Sequence, residues 1–496
     1  MKTLHYLRLC LVVVLTAALA PRSLVAALPA NLEAEVDKIF AKWSRSTPGC
    51  AVGVSIGGRP ALMKAYGMAD LEHDVPNTPE TIFEAGSVAK QFTAMAVLLL
   101  AKDGKLSLDD AVRNYIPELP DYGASAAARD QAQPSSGETS PKPLRGEGGP
   151  LTIRHMLTHT SGLRDWGSVA SIAGWPRTTR EYTHAHVLDI ASRQRSLNFP
   201  SGTKWSYSNT GFNLAAIIVE RVSGMPFAEF SRQRIFSPLG MSHTSWRDDH
   251  TRIVKGRAIA YSEDNKVLHT EMPFENVHGN GGLLTTVGDL LKWNENSVRP
   301  TVGTPQLIAE QQRAAHTTDG KELNYALGLY VGQYRGVPSV WHSGSTAGYR
   351  AHLSRYPDAH TSVAVLCNVS SGDATRANNN VAAIVLADRL KPAPPTPPAP
   401  RPPTAMSPPP AAATLSELVG SYWSDEAEVM ITMRVENGQL IALRRPDSNI
   451  ALTPTAPDTF RGASLGTLTF RRDAAGRVNA FSVTQERVWD LRFERK

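Results

Sequence analysis

Cysteine is almost missing from this chain. Three stand among 496 residues, and Cys10 opens an N-terminal apolar run from Leu9 to Ala20. That run follows Lys2 and Arg8 and leads to Val25-Ala26-Ala27, so residues 1–27 read as a secretory signal peptide. Cys10 lies at the start of the run rather than after it, which argues against a lipid-anchored cysteine at the cleavage point. Cys50 and Cys367 survive in the mature chain, each inside a β-like apolar run, and read as buried free thiols acting as small hydrophobes. An exported compartment permits a disulfide, but sequence does not place the two within bonding range.

Long apolar runs are scarce as well. The first is shorter than the roughly 20 residues a membrane helix needs, and no later stretch approaches that length, so no transmembrane segment is expected after signal removal. Charge of one sign is also lacking. The formal net charge is +6, and it falls to +3 once Lys2, Arg8 and Arg22 leave with the signal. Residues 414–496 are balanced at eleven basic and eleven acidic side chains. There is no basic footprint for nucleic acid. The expectation is an exported protein, periplasmic or secreted, whose partner is a small molecule or short peptide.

What is present is ample apolar material, 42% of the residues, in a chain too long for one compact domain. Leu32, Val36, Ile39, Phe40 and Trp43 recur at helical spacing, and a hairpin is expected over 51–56 and 60–66 around Gly57-Gly58. Residues 123–149, rich in Ala, Ser, Gly and Pro, read as a flexible insertion. Helices are expected over 152–159, 212–230 and 375–390, and a strand pair over 352–356 and 362–367. A main domain thus covers 28–390. Residues 391–413 carry eleven prolines and read as a stiff linker. Beyond it, Asn437-Gly438 and alternating apolar residues mark 414–496 as a small antiparallel β domain, with a barrel one form open to it.

The chemistry starts at Phe83-Glu84-Ala85-Gly86-Ser87-Val88-Ala89-Lys90. After Lys90, the residues Phe92, Met95, Ala96 and Leu99 follow helical period, so Ser87 and Lys90 face the same way at a helix start. A lysine desolvated beside an apolar helix is deprotonated more easily and can take a serine's proton. The helix N-terminus adds N–H groups where an oxyanion would form. Ser201 and Lys204 repeat the spacing, but Pro200 and Gly202 make that stretch a turn.

Two further stretches complete the pattern. Tyr207-Ser208-Asn209 offers a phenol that an adjacent ammonium could acidify, and an amide able to hold both a lysine and a substrate. His342-Ser343-Gly344-Ser345 is a small-residue strand edge beside a histidine that could orient or protonate a substrate group. Taken alone, each also reads as a polar turn. His155 and His159, four apart, lack the glutamate of a zinc helix, and His184 and His186 read as solvent-facing. No metal and no cofactor are expected.

In this order the three stretches resemble the serine hydrolases of the β-lactamase and penicillin-binding superfamily, closest to class C β-lactamases, D-peptidases and related esterases. Leu157–Leu163 and Gly281–Thr286 add similar blocks. The resemblance spans roughly residues 30–390. It implies a mixed α/β (α+β) fold: an antiparallel five-stranded sheet flanked by helices, a helical subdomain, and the site between them. It also implies roles. Ser87 is the nucleophile; Lys90 and Tyr207 share the base role; Asn209 positions Lys90 and substrate. His342, Gly344 and Ser345 line the substrate and oxyanion side, with the N–H groups of Ser87 and Ser345 forming the hole. His342 stands where β-lactamases carry lysine, which favours a small amide, ester or peptide, D-amino-acid and cell-wall peptides among them. The alternatives are a β-lactamase, or a penicillin-binding sensor with little turnover.

Overall fold

A computed structural model describes residues 31–122, 149–177, 179–392 and 412–496. The expected signal peptide, and nearly all of the 123–149 insertion and the proline linker, lie outside the described residues.

The main domain is built on one antiparallel sheet. Helix α1 (Leu32–Phe40) precedes the hairpin of β1 (Cys50–Ile56) and β2 (Arg59–Tyr66). Helix α2 (Lys90–Lys102) and helix α3 (Thr210–Ser223) follow. The remaining strands are β3 (Tyr330–Tyr334), β4 (Val337–Thr346), β5 (Tyr349–Tyr356) and β6 (Thr361–Cys367), and α4 (Ala374–Val385) closes the domain. The order is β3-β4-β5-β6-β1-β2. The sheet therefore extends the expected five strands by one: β3 pairs with β4 from Tyr330↔Trp341 to Tyr334↔Val337.

Alternation along the strands decides what each face buries. In β1 and β6, Val52, Val54, Val363 and Val365 pack with Val36, Phe40, Val381 and Ala382. Ala51, Ala364 and Leu366 point the other way, into the core that holds α2 and α3. Every residue of α2 from Lys90 to Leu100 is buried, so this helix runs through the core.

Cys50 and Cys367 are directly opposed in the β1–β6 register and are joined by a disulfide, with Cα atoms 4.0 Å apart. This corrects the free-thiol reading: antiparallel pairing brings together two residues 317 positions apart in sequence.

The C-terminal segment forms a closed barrel of eight antiparallel strands: β7 (Gly420–Ser424), β8 (Val429–Glu436), β9 (Gln439–Arg444), β10 (Ser448–Ala456), β11 (Thr459–Gly462), β12 (Gly466–Arg472), β13 (Val478–Gln485) and β14 (Val488–Arg495). Its Leu, Ile and Phe core merges with Val169, Ile172 and Ala173 of the helix Trp166–Ile172. Arg164, 3% exposed, donates to the Trp489 carbonyl at 2.8 Å and meets Glu426 at 3.2 Å. The barrel is thus docked on the main domain beside the cleft. Among the described residues, no helix is long and apolar enough to cross a membrane.

Candidate active site

Ser87 lies in a tight turn, Gly86–Ala89, that runs directly into α2. One helical turn later Lys90 is fully buried, and its Nζ sits 3.0 Å from Ser87 Oγ, 2.8 Å from Asn209 Oδ1 and 2.7 Å from the Asn280 carbonyl. Burial, aided by Arg487 and Arg177, holds the Lys90 amine well below its ordinary pKa, against the pull of Asp165. A neutral amine has two N–H donors and one lone pair. In that form the Asn209 and Asn280 oxygens would take the donors, leaving the lone pair for the Ser87 hydroxyl.

Tyr207 and Asn209 stand at the entry to α3. The Tyr207 hydroxyl is within hydrogen-bonding reach of Ser87. Burial raises the Tyr207 pKa, so the resting group is a neutral phenol rather than the acidified one that an adjacent ammonium would produce.

The third stretch lies along β4, where close approach depends on glycine. A Cβ at Gly344 would fall 2.0 Å from the Ala85 carbonyl and 3.0 Å from the Ser87 nitrogen. Gly86, at φ +50°, would put a Cβ 2.6 Å from the Ser345 nitrogen. The two glycines therefore let the backbones carrying the Ser87 and Ser345 N–H groups meet at one point. His342 is buried beneath them. Its Nδ1 contacts the Ser343 carbonyl at 2.6 Å, and its Nε2 lies 3.0 Å from the Tyr325 hydroxyl. Burial, together with Lys90, lowers its pKa to about 3, so it carries no charge and both nitrogens are occupied within the protein.

The cleft has a volume of about 710 Å³ and is lined by Ser87, Tyr207, Asn209, His342, Gly344 and Ser345. The structure thus brings all the sequence-selected residues to one place, with Lys90 buried just behind. Ser201 and Lys204 stay apart from it: Ser201 donates to the Ser161 carbonyl, and Lys204 lies over Trp489.

Four participants escaped the sequence reading. Asp165 Oδ2 accepts from both the backbone and side-chain nitrogens of Asn209, at 2.8 Å each. It lies two residues beyond the block ending at Leu163 and caps the helix Trp166–Ile172, a local signal that was there to use. His159 does not continue a helix, which ends at Leu157; it turns to φ +61° and packs its ring 4.2 Å from that of Tyr207. Tyr325 and Arg487 arrive from distant segments with no local signal. His184 and His186 also differ from the solvent-facing expectation. His184 lies tilted against buried His278, ring centres 4.2 Å apart, and His186 Nδ1 accepts from the Thr183 nitrogen at 3.1 Å, closing a capping box at the start of their helix.

Metal-type donors gather elsewhere among the described residues. His184, Glu220 and His278 place ligand atoms within 4.8 Å of one another. There His184 Nε2 already contacts the His278 carbonyl, and Glu220 accepts from the Phe227 nitrogen.

The chain is similar to known proteins. The D-aminopeptidase of Gluconobacter oxydans (strain 621H) is 28% identical over 342 residues, covering 68% of this chain and 59% of that protein. Penicillin-binding protein 4* of Bacillus subtilis (strain 168) is 26% identical over 331 residues, covering 63% of this chain and 66% of that one. The chain spans less than two thirds of the length of either relative. The octameric penicillin-binding protein homologue from Pyrococcus abyssi superposes with a TM-score of 0.60 at 24% identity, over 93% of this chain and 99% of that one, a likeness of fold. The Beta-lactamase family model matches residues 22–387, the stretch that carries the sheet, α2, α3 and the whole Ser87 cleft, and the chain belongs to that family.

Proposed function

We propose that this protein is an exported serine hydrolase that works through an acyl-enzyme on a small amide, ester or short peptide, D-amino-acid derivatives among them. The observation that carries the reading is the buried Lys90 amine, its Nζ 3.0 Å from Ser87 Oγ, 2.8 Å from Asn209 Oδ1 and 2.7 Å from the Asn280 carbonyl, with burial holding its pKa well below the ordinary value. Ser87 Oγ attacks the carbonyl carbon while its proton passes to Lys90 Nζ. The oxyanion forms between the Ser87 and Ser345 N–H groups, where fixed donors act at full strength. As the carbon–heteroatom bond breaks, Tyr207 gives its proton to the leaving atom. Lys90, with Nζ 4.8 Å from the Tyr207 ring centre, restores the phenol. Water then repeats the sequence in reverse and frees Ser87.

The D-aminopeptidase named above supports the D-amino-acid part of this reading. The uncharged His342 supports amides and esters over β-lactams, since β4 holds no fixed cation at that position. The Cys50–Cys367 disulfide supports an oxidising, exported setting. The test is turnover of D-amino-acid amides and short-chain esters by wild type and Ser87→Ala. The expected result is loss of all turnover in the variant, with a Ser87 adduct trapped in the wild type by a slow ester. Undiminished hydrolysis by the variant would overturn the assignment.

A further inference from the structure

The cleft is finished by the barrel, and what the barrel brings is a cation. Gln485 and Val488 pair across β13 and β14, so Glu486 and Arg487 form the two-residue tip of that hairpin, and both line the cleft. The tip is pinned. The Arg487 carbonyl accepts from the Asp165 nitrogen at 3.3 Å and from Asn198 Nδ2 at 3.1 Å, and the Trp489 nitrogen donates to Asn198 Oδ1 at 2.8 Å. Only the side chain is left to reach inward, and its guanidinium lies 4.7 Å from the Tyr207 ring centre.

Three arginines line the cleft, and two have partners. Arg177 is paired with Glu275, and Arg350 donates to the carbonyls of Ala347 and Tyr349. Arg487 differs. Its Nε is buried with no hydrogen-bond partner among the described residues, and its nearest carboxylate, the neighbouring Glu486, is 3.9 Å away with its side chain 84% exposed. The other carboxylate of the cleft, Asp373, caps its own helix and pairs with Arg376. A guanidinium held over a catalytic ring and short of acceptors is a site for an oxyanion, and its planar fork matches a carboxylate.

Position says which end of the substrate it meets. In the reading above Tyr207 protonates the leaving atom, so a guanidinium stacked on Tyr207 faces the fragment that departs rather than the acyl group that stays on Ser87. We propose that Arg487 determines specificity by binding a carboxylate on the leaving group, so that the preferred substrates release an acid, as a peptide with a free C-terminal carboxylate does. The inference rests on the proposed hydrolase reading.

The full chain is tested with N-acetyl-D-alanyl esters of 3-hydroxybenzoate and of 3-hydroxybenzamide, which differ only in the charge of the leaving group. Wild type is expected to favour the benzoate ester in kcat/KM by about tenfold to a hundredfold, the size of a charge-assisted hydrogen bond. Arg487→Gln is expected to bring that ratio near one, and Arg487→Lys to leave an intermediate ratio. A wild-type ratio near one overturns the inference whatever the variants do. So does a ratio unchanged in Arg487→Gln, since a purely structural role would slow both esters alike. Turnover of both esters by Ser87→Ala overturns the hydrolase reading itself, and the inference with it. Turnover that depends on Ser87 but shows no preference removes the Arg487 inference alone.

Discussion

One carboxylate oxygen of Asp165 holds Asn209 twice, accepting from its backbone nitrogen and its side-chain Nδ2 at 2.8 Å each. That double grip settles which way the amide faces, because the nitrogen must point to Asp165 and the Oδ1 to Lys90. A chain of contacts then runs from Asp165 through Asn209 and Lys90 to Ser87, all of it buried except at the serine. Asp165 also ties this chain to the barrel, through its own N–H to the Arg487 carbonyl. It is a positioning residue, with no contact to the reacting atoms.

Replacing Asp165 with Asn removes an anion that raises the Lys90 pKa. The acid limb of the kcat/KM profile should therefore move to lower pH in Asp165→Asn. kcat should also fall by about tenfold to a hundredfold as the Asn209 amide loses its anchor. An unshifted limb would show that Asp165 acts only as a helix cap.

In the proposed mechanism Lys90 is the base and must be neutral to work, so activity should fall as pH drops through its depressed pKa. Lys90→Arg keeps a positive charge but cannot give up its proton at any accessible pH. Rapid-mixing measurement of acylation should find the variant slowed by about 10²–10⁴-fold across the whole pH range. A variant whose rate recovered at high pH would contradict the proton-acceptor role.

Gly344→Ala probes the oxyanion side. The added methyl meets the Ala85 carbonyl at 2.0 Å, so β4 must move away from the Ser87 turn and carry the Ser345 N–H with it. A loss of about 10²–10³-fold in kcat is expected, the cost of one misplaced oxyanion donor. Circular dichroism should stay native, and wild-type turnover in a folded variant would place the oxyanion elsewhere.

The disulfide predicts a property of the chain once the proposed signal peptide, with Cys10, is removed. Folded protein should show no titratable thiol, and reduction or the double variant Cys50→Ala/Cys367→Ala should lower unfolding stability by about 2–4 kcal/mol. Calorimetry with and without reductant measures this. Two thiols per folded molecule would show that the strands meet without a bond.

The three candidate stretches were legible because their pattern is local. Ser87 and Lys90 are one helical turn apart, Tyr207 and Asn209 share one turn, and His342 to Ser345 share one strand, so spacing alone presents each set on one face. The barrel announced itself by Asn437-Gly438 and by period-two alternation, although this does not mark out all eight strands, β7, β10 and β11 least of all. Their apolar alternation is broken by turns and prolines, and only closure against neighbouring strands gives them partners.

By itself, then, the sequence determined the fold class, the order of the catalytic stretches and the compositional boundaries, since these depend on periodicity and contacts within a few residues. Tertiary structure decided the rest. Burial, which sequence spacing does not report, lowers the pKa of Lys90 and His342 and raises that of Tyr207. Strand register joins Cys50 to Cys367. The docking of one domain on another sets Arg487 over Tyr207, although 280 positions of chain lie between them. Contacts over such distances form when separate apolar surfaces are buried together, and no local pattern encodes which distant residue will arrive.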